Sequence, residues 1–422
     1  MAKETTFSKI DLLLTLAGFV LYLGDVGTDL WVAIDFFYKG HFLWCVLVMT
    51  VTLVSAVTLQ TFSWAWYKDD EKNRQVNSEI QCSNNLECKS RCSCLCLVHI
   101  FQMGMLVRFI KALSSGYKEV FKKQETTCSD IIYAVTDLSM LRLFEAFLET
   151  APQLVLQTFI LLESDDRSYI QYGSVIMSCF SISWTTLDYY AALKRSLPAQ
   201  QNLVCGFPYV IYFLYKVLTL SAKILTITLL ATLHVTAVAS YLCALWLIMI
   251  FCVWRQKTAF CTSKCQEIIY RTVVATILVF TFFNLKGQNT KVGMTVYYVF
   301  RIFETINMLL LCWLLKGFTK RNVYDLPIRI TVGLSLVIGI VCLVLYYRLF
   351  HPQIYSERTI DEDSNNSHTE PQLHRFPDEV DGFLTGNSAV TPNNIRANNS
   401  MIDPSISNPG TRSSRITHCL TF

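Results

Sequence analysis

Residues 10–37 read IDLLLTLAGFVLYLGDVGTDLWVAIDFF. A helix needs about 20 consecutive, mostly apolar residues to cross the hydrocarbon layer of a bilayer, and this run is longer. Inside hydrocarbon every backbone N–H and C=O must find a partner within the chain, so only helices and closed barrels cross. A continuous run of this length selects the helix. The whole chain agrees: of 422 residues, 52% are hydrophobic and 16% charged, against about a quarter charged in a soluble domain. The expected fold class is an all-α polytopic membrane protein. A formal net charge of +4 is too small to argue for nucleic acid. The opening stretch, Met1–Lys9, is short and polar, and the apolar run behind it is too long for a cleavable signal. The first helix is therefore expected to stay as an anchor.

Nine further apolar segments follow, at 42–67, 95–113, 137–162, 168–193, 207–230, 231–254, 266–286, 295–316 and 327–350. The third of the ten is interrupted by Gln102, Gly104 and Arg108. The eighth is short and ends in Lys286-Gly287-Gln288-Asn289. Loop charge decides which segments cross, because cytoplasmic loops carry the excess of Lys and Arg. Were all ten to cross from a cytoplasmic N-terminus, Lys111, Lys118, Lys122, Lys123, Lys194, Arg195, Arg255, Lys257 and Lys264 would face outward. Letting the third and eighth dip in and return moves all of these inside and turns Glu163-Ser164-Asp165-Asp166 outward. The cost is that Lys316, Lys320 and Arg321 lie outside. The expected architecture is eight transmembrane helices plus two partially inserted helices, in two pseudo-symmetric halves as in many transport folds. The N-terminal membrane repeat covers 1–200 and the C-terminal one 201–352. Both termini are cytoplasmic, and Tyr346, Tyr347 and Arg348 anchor the last helix at the inner interface.

Ionisable groups within spans are costly and usually face a bundle interior or a wet path. Asp25 and Asp29 lie four residues apart and share one face of the first helix. Arg142, Glu145 and Glu149 share a face of the fourth segment, and Asp188 sits late in the fifth. The second half carries mostly cations: Lys216, Lys223, Arg271, and Arg301 beside Glu304. One reading makes these internal ion pairs that lock helices together, with Arg142–Glu145 and Arg301–Glu304 as pairs and Lys216 reaching out from a segment end. The other makes them a polar seam, in which acids and bases at successive depths replace the hydration of a phospholipid headgroup while its tails stay in lipid. Neither needs covalent chemistry. There is no convincing nucleophile–base set, P-loop or H-E-x-x-H, so no enzyme, cofactor or metal is expected.

Of the 16 cysteines, five cluster at Cys82, Cys88, Cys92, Cys94 and Cys96. Their C-x-C-x-C run lacks the paired spacing of a good zinc site, which leaves free thiols or juxtamembrane palmitoylation. Residues 353–422 are polar and poor in large apolar side chains, as in a disordered cytoplasmic regulatory tail. Within them stands Asp378-Glu379-Val380-Asp381-Gly382, the preferred cleavage pattern of executioner caspases in an accessible setting; the alternative is a chance acidic string. Cutting after Asp381 frees Gly382–Phe422, whose Phe383, Leu384, Ile402, Ile406, Ile416, Leu420 and Phe422 could dock in a cavity between helices and hold the protein off. Sequons at Asn365 and Asn398 would carry glycan only if the tail were extracellular.

Several blocks resemble the XK-related membrane proteins: Leu143-Phe144-Glu145-Ala146-Phe147-Leu148-Glu149-Thr150-Ala151-Pro152-Gln153-Leu154, Gly24-Asp25-Val26-Gly27-Thr28-Asp29-Leu30-Trp31, Ser183-Trp184-Thr185-Thr186-Leu187-Asp188-Tyr189 and Phe282-Phe283-Asn284-Leu285-Lys286-Gly287-Gln288-Asn289-Thr290. Together they cover nearly the whole membrane part, and the tail site is similar to the caspase-activated branch. The resemblance implies a plasma-membrane phospholipid scramblase that exposes phosphatidylserine in apoptosis. Its partners would be membrane phospholipids, an executioner caspase and a candidate single-span immunoglobulin-type chaperone. It also places Asp25, Asp29, Glu145 and Glu149 in the polar interior of the first half. Trp44 becomes a candidate gate, with an interfacial belt tryptophan as the alternative. A secondary transporter or channel for a small solute, and an adaptor without transport, are the rival readings.

Overall fold

The structure, a computed structural model, describes residues 7–77, 96–122, 128–163, 169–196, 207–256, 258, 260–261, 263–284, 290–316 and 325–349. The tail with its Asp378–Gly382 string and both sequons, Cys82, Cys88, Cys92 and Cys94, and loop residues 164–168 and 285–289 lie outside the described residues. The described chain forms α1 (Lys9–Tyr38), α2 (Phe42–Asn77), α3 (Gly104–Tyr117), α4 (Cys128–Glu145), α5 (Ala151–Glu163), α6 (Tyr169–Arg195), α7 (Phe207–Ala231), α8 (Val235–Arg255), α9 (Lys264–Phe280), α10 (Thr290–Lys316) and α11 (Asp325–Leu349), with no strand among the described residues. A π turn, Ala146–Thr150, joins α4 to α5 in one rod. The protein is thus an all-α polytopic membrane protein.

Among the described residues, six helices are long and apolar enough to cross a membrane: α1, α2 as far as Asp70, α7, α8, α10 and α11. The α4–α5 rod and α6 have the length but are diluted by polar residues, Arg142, Glu145 and Glu149 in one and Asp188 in the other. The two remaining helices are short. At 1.5 Å per residue, the 14 residues of α3 and the 17 of α9 reach about 21 and about 26 Å, against a hydrocarbon layer of about 30 Å. Counting the rod once, the order long, long, short, long, long occurs twice along the chain. The structure shortens both partial segments relative to the sequence expectation. The third is a helical turn over 96–100, a break at 101–103, and then α3; the eighth ends at Phe280, not 286.

Each short helix is fastened by an arginine to a tryptophan of the long helix before it. Arg108 of α3 lies over the Trp66 ring of α2 at 5.7 Å and donates to the Ser63 carbonyl at 2.9 Å. Arg271 of α9 lies over the Trp254 ring of α8 at 5.8 Å and donates to the Thr258 carbonyl at 2.5 Å. A guanidinium suits both tasks, since it stacks flat on an aromatic face while its fork bonds a carbonyl.

α7 is the hub, packing against α5, α6, α8, α9, α10 and α11, and 67% of its apolar window is buried. α1 sits at the edge on α2 and α3, with 11% buried. Rings close the seam between the two sets of helices: Phe260 stacks on Tyr270 at 4.4 Å and meets Trp66 edge-on at 6.3 Å, and Phe147 of the π turn meets Phe280 at 6.1 Å. Tyr346 departs from its expected place at the interface. It is 2% exposed, because its ring packs on Tyr212 at 5.0 Å and its hydroxyl meets that of Tyr190 at 3.3 Å. Lys216 likewise does not reach outward from its segment end. It is buried, and its Nζ donates to Thr281 Oγ1 at 3.1 Å and to the Phe282 carbonyl at 3.3 Å. That fixes the two residues that follow α9, where the chain leaves the helix. Lys216→Met should therefore cost about 1–3 kcal/mol, seen as a lower thermal midpoint of the purified protein in detergent.

Candidate functional site

The candidate site is built where α1 crosses the α4–α5 rod. Thr15, Gly18, Tyr22, Asp25, Asp29 and Ala33 recur at three- and four-residue spacing, so they line one stripe of α1. All are buried or half-buried, while Val20, Leu23, Val26, Leu30 and Trp31 are exposed on the other side. Opposite, the rod widens into its π turn just before Pro152. Proline brings no N–H and its ring clashes with the carbonyl four residues back, here Leu148; one extra residue in the turn relieves both, a frequent device at functional sites. Glu149 sits inside that widened turn and Glu145 immediately before it, 8% and 6% exposed.

The four acids meet. Asp29 lies beside Glu149 and Gln153, and Glu149 lies beside Ser55 and Thr52 of α2, where the buried Ser55 hydroxyl has no hydrogen-bond partner among the described residues. Gln153 Nε2 donates to Thr52 Oγ1 at 3.2 Å. Asp25 and Asp29 are half-buried on a helix that is mostly bare, so this carboxylate cluster borders the outer surface of the bundle midway along a membrane helix.

A cavity continues toward the N-terminal end of α1, where Asp11, Arg142, Asp188 and Arg195 stand among apolar walls that include Phe109 and Leu138. Asp11 closes its mouth: it completes the capping box of α1 with Ser8, and Arg195 of α6 pairs with it. Arg142 is 5% exposed, and no ion pair joins it to Glu145 among the described residues, contrary to one sequence expectation. Its guanidinium lies against Gly18, where a Cβ would stand 2.7 Å from Nη1. Its buried Nε has no hydrogen-bond partner among the described residues. Trp44, in the first turn of α2, is half-buried and packs on Phe159 of α5 at 6.1 Å.

The second-half charges are placed differently. Lys223 of α7 pairs with Glu304 of α10 and donates to Tyr241 at 3.1 Å. Arg301 donates to the other Glu304 oxygen at 3.0 Å. Arg271 bonds Glu267 at 3.2 Å, and Lys216 serves the end of α9. Each has a partner within its own half, and none lies in the acid cluster. Sequence reasoning missed Thr52, Ser55 and Gln153. Their signal was present as polar residues recurring in otherwise apolar runs. It also missed the Asp11–Arg195 pair, which no local pattern could reveal.

The family model described as XK-related protein matches residues 13–352, nearly all of the described helical part. The chain is similar to XK-related protein 8 of Pan troglodytes, at 33% identity over 372 residues, 87% of this chain and 91% of that protein. It is similar to XK-related protein 9 of Tetraodon nigroviridis, at 34% over 357 residues, 82% and 92%. It is also similar to XK-related protein 8 of Gasterosteus aculeatus, at 30% over 383 residues, 90% and 94%.

The buried Lys223–Glu304–Arg301 group sets a stability test. Glu304→Leu leaves two cations without their shared anion, which should cost about 3–5 kcal/mol. Replacing all three by apolar residues of similar size should restore much of the loss. The thermal midpoints of the two variants measure the difference.

Proposed function

The chain belongs to the XK-related family, and from that premise we propose that it is a non-enzymatic phospholipid scramblase of the plasma membrane, with both termini cytoplasmic, switched on by caspase cleavage of its tail. The observation that carries this reading is the placement of Asp25 and Asp29. They are half-buried in the middle of a membrane helix that is mostly bare, and Asp29 lies beside Glu149. An enclosed solute site would put such groups deep between helices.

A phospholipid cannot cross unaided because its charged headgroup loses its water in hydrocarbon. Along the stripe of α1 it finds substitutes in order. Arg195 and Asp11 stand at one end, then Arg142 with its unpartnered Nε, then Asp25 and Glu145, then Asp29 and Glu149. A guanidinium suits the phosphate, through planar paired donors, and the carboxylates suit the ammonium. The tails stay in the bilayer beside Val26, Leu30 and Trp31. Such a path speeds exchange by lowering one barrier, and each 1.4 kcal/mol is about tenfold in rate. In this reading Lys216, Lys223, Arg271, Arg301 and Glu304 hold the scaffold, as their local pairing suggests. Trp44, packed at the opposite end of α2 from Ser63, narrows the far exit.

The tail is the switch. Cleavage after Asp381 removes Gly382–Phe422, and an inhibitory segment shifts the balance only by its preference for the closed state. The rival reading, a secondary transporter or channel, draws on the cavity lined by Arg142 and Asp188. It predicts solute flux without lipid movement.

Protein reconstituted in liposomes and cut by an executioner caspase should move labelled lipid between leaflets without an ion gradient. Asp381→Ala should stay closed under the same treatment. If the cut protein leaves the leaflets unmixed, the reading fails. The double variant Asp29→Asn with Glu149→Gln should slow lipid movement by about tenfold or more while its thermal midpoint stays within a few degrees of the parent.

A further inference from the structure

Arg142-Leu143-Phe144-Glu145 of the α4–α5 rod recurs as Arg301-Ile302-Phe303-Glu304 of α10. Both helices hold the fourth place in the repeated order of long and short helices. The burial repeats as well: the arginines are 5% and 4% exposed, the glutamates 6% and 7%. In each half the first long helix brings an ionisable side chain toward the glutamate. Lys223 of α7 pairs with Glu304, and Asp25 of α1 stands within electrostatic reach of Glu145. The two stand equally far from the starts of their helices, with the sign of the charge reversed. We infer that Asp25, Asp29, Glu145 and Glu149 form a binding site for an ammonium group, and that Lys223 is a built-in ligand filling the corresponding site of the second half. Use of the site in lipid movement rests on the scramblase reading; the site itself does not.

The second half shows what the glutamate of this motif holds. Glu304 takes the Lys223 ammonium on one oxygen and the Arg301 guanidinium on the other, the latter at 3.0 Å. Tyr241 completes the setting. Its hydroxyl accepts from the Lys223 ammonium at 3.1 Å, and its ring centre lies 5.4 Å from the same nitrogen. A carboxylate and a ring face are the two groups that hold an ammonium away from water.

The first half repeats these groups but supplies no cation of its own to them. No ion pair or hydrogen bond reaches Glu145 among the described residues. Arg142 does not serve, because its guanidinium lies against Gly18 of α1. Tyr22 stands within electrostatic reach of Glu145 and Glu149, as Tyr241 stands by Glu304. Ser55 of α2 is 0% exposed and lies beside Glu149, and its hydroxyl has no hydrogen-bond partner among the described residues. Buried hydroxyls in native proteins are bonded as a rule, and an exception calls for a cause; a donor seated among these acids supplies one. The acids outnumber Arg142, so the cluster attracts a cation and repels a bare anion. The ammonium chemistry is shared by amine-bearing lipid headgroups and by free alkylamines.

Asp25→Lys transplants the second-half arrangement into the first. A lysine placed in a membrane helix is ordinarily costly, but here its ammonium should settle on Glu145 as that of Lys223 does on Glu304. The purified full-length variant should therefore melt above Asp25→Asn in detergent. Ethylammonium chloride, against sodium chloride at matched ionic strength, should raise the parent's thermal midpoint by a few degrees and leave Asp25→Lys unmoved. An Asp25→Lys midpoint below that of Asp25→Asn, or a parent that ethylammonium shifts no more than sodium does, overturns the proposal. The ethylammonium arm decides the matter if the lysine variant fails to fold. Nanodiscs separate the two sources. A parent that melts higher with phosphatidylethanolamine than with phosphatidylglycerol, the difference being erased by Asp25→Lys, takes its ammonium from headgroups; equal midpoints assign the site to free amines. In caspase-cut protein Asp25→Lys should slow lipid movement by about tenfold or more. If ethylammonium binds and no chain moves lipid, the scramblase reading fails and the site stands. If the parent moves lipid and ethylammonium does not bind, the site fails and the reading stands.

Discussion

A carboxylate in hydrocarbon must be surrounded by polar partners or stand beside water, because the bilayer core offers nothing else to solvate it. The first half of this protein is arranged around four of them. The α1 stripe, the widened turn of the α4–α5 rod and the Thr52 and Ser55 face of α2 converge so that Asp29 and Glu149 lie side by side among amide and hydroxyl neighbours. The same need explains the edge position of α1. Packed deeper, its acids would need more partners than two neighbouring helices supply.

The first half pairs Asp11 with Arg195 and Asp137 with Arg108 but, unlike the second, also gathers four acids together. The second pairs its cations locally, with Glu304 taking Lys223 and Arg301, and with Lys216 closing the end of α9. It wraps them around α7, the most buried helix of the bundle. The first half leaves its acids together at the rim and an arginine nitrogen without a bond. Breaking a buried pair is expensive, so the second half resists rearrangement, whereas the first has groups that a passing polar molecule can satisfy. A rigid frame beside a yielding rim is a workable division for moving something along the rim.

Much of the fold was legible from one-dimensional rules. Run length marked the long helices, and Gln102, Gly104 and Arg108 marked the third segment as incomplete. The pairing of Arg301 with Glu304 followed from their spacing. What escaped was three-dimensional. Pro152 stood in plain view within an apolar run, but its consequence, an extra residue in the turn that carries Glu149, depends on how the rod packs. Asp11 and Arg195 are far apart in the chain and meet only because α1 and α6 end side by side. Tyr346 followed the habit of interfacial tyrosines in composition and broke it in packing, because Tyr190 and Tyr212 gave its ring and hydroxyl better partners.

The extra residue at Ala146–Thr150 also makes this stretch unusually sensitive to changes in reading length. An α-helix advances about 100° per residue, so a single-codon deletion there would swing Gln153 and all of α5 around the axis by roughly that angle. It would leave a smoother helix with the wrong side facing α2. In gene variants of this chain, in-frame loss of Ala146, Leu148 or Thr150 should be as disabling as loss of an acid, although it removes no charged residue and no core ring.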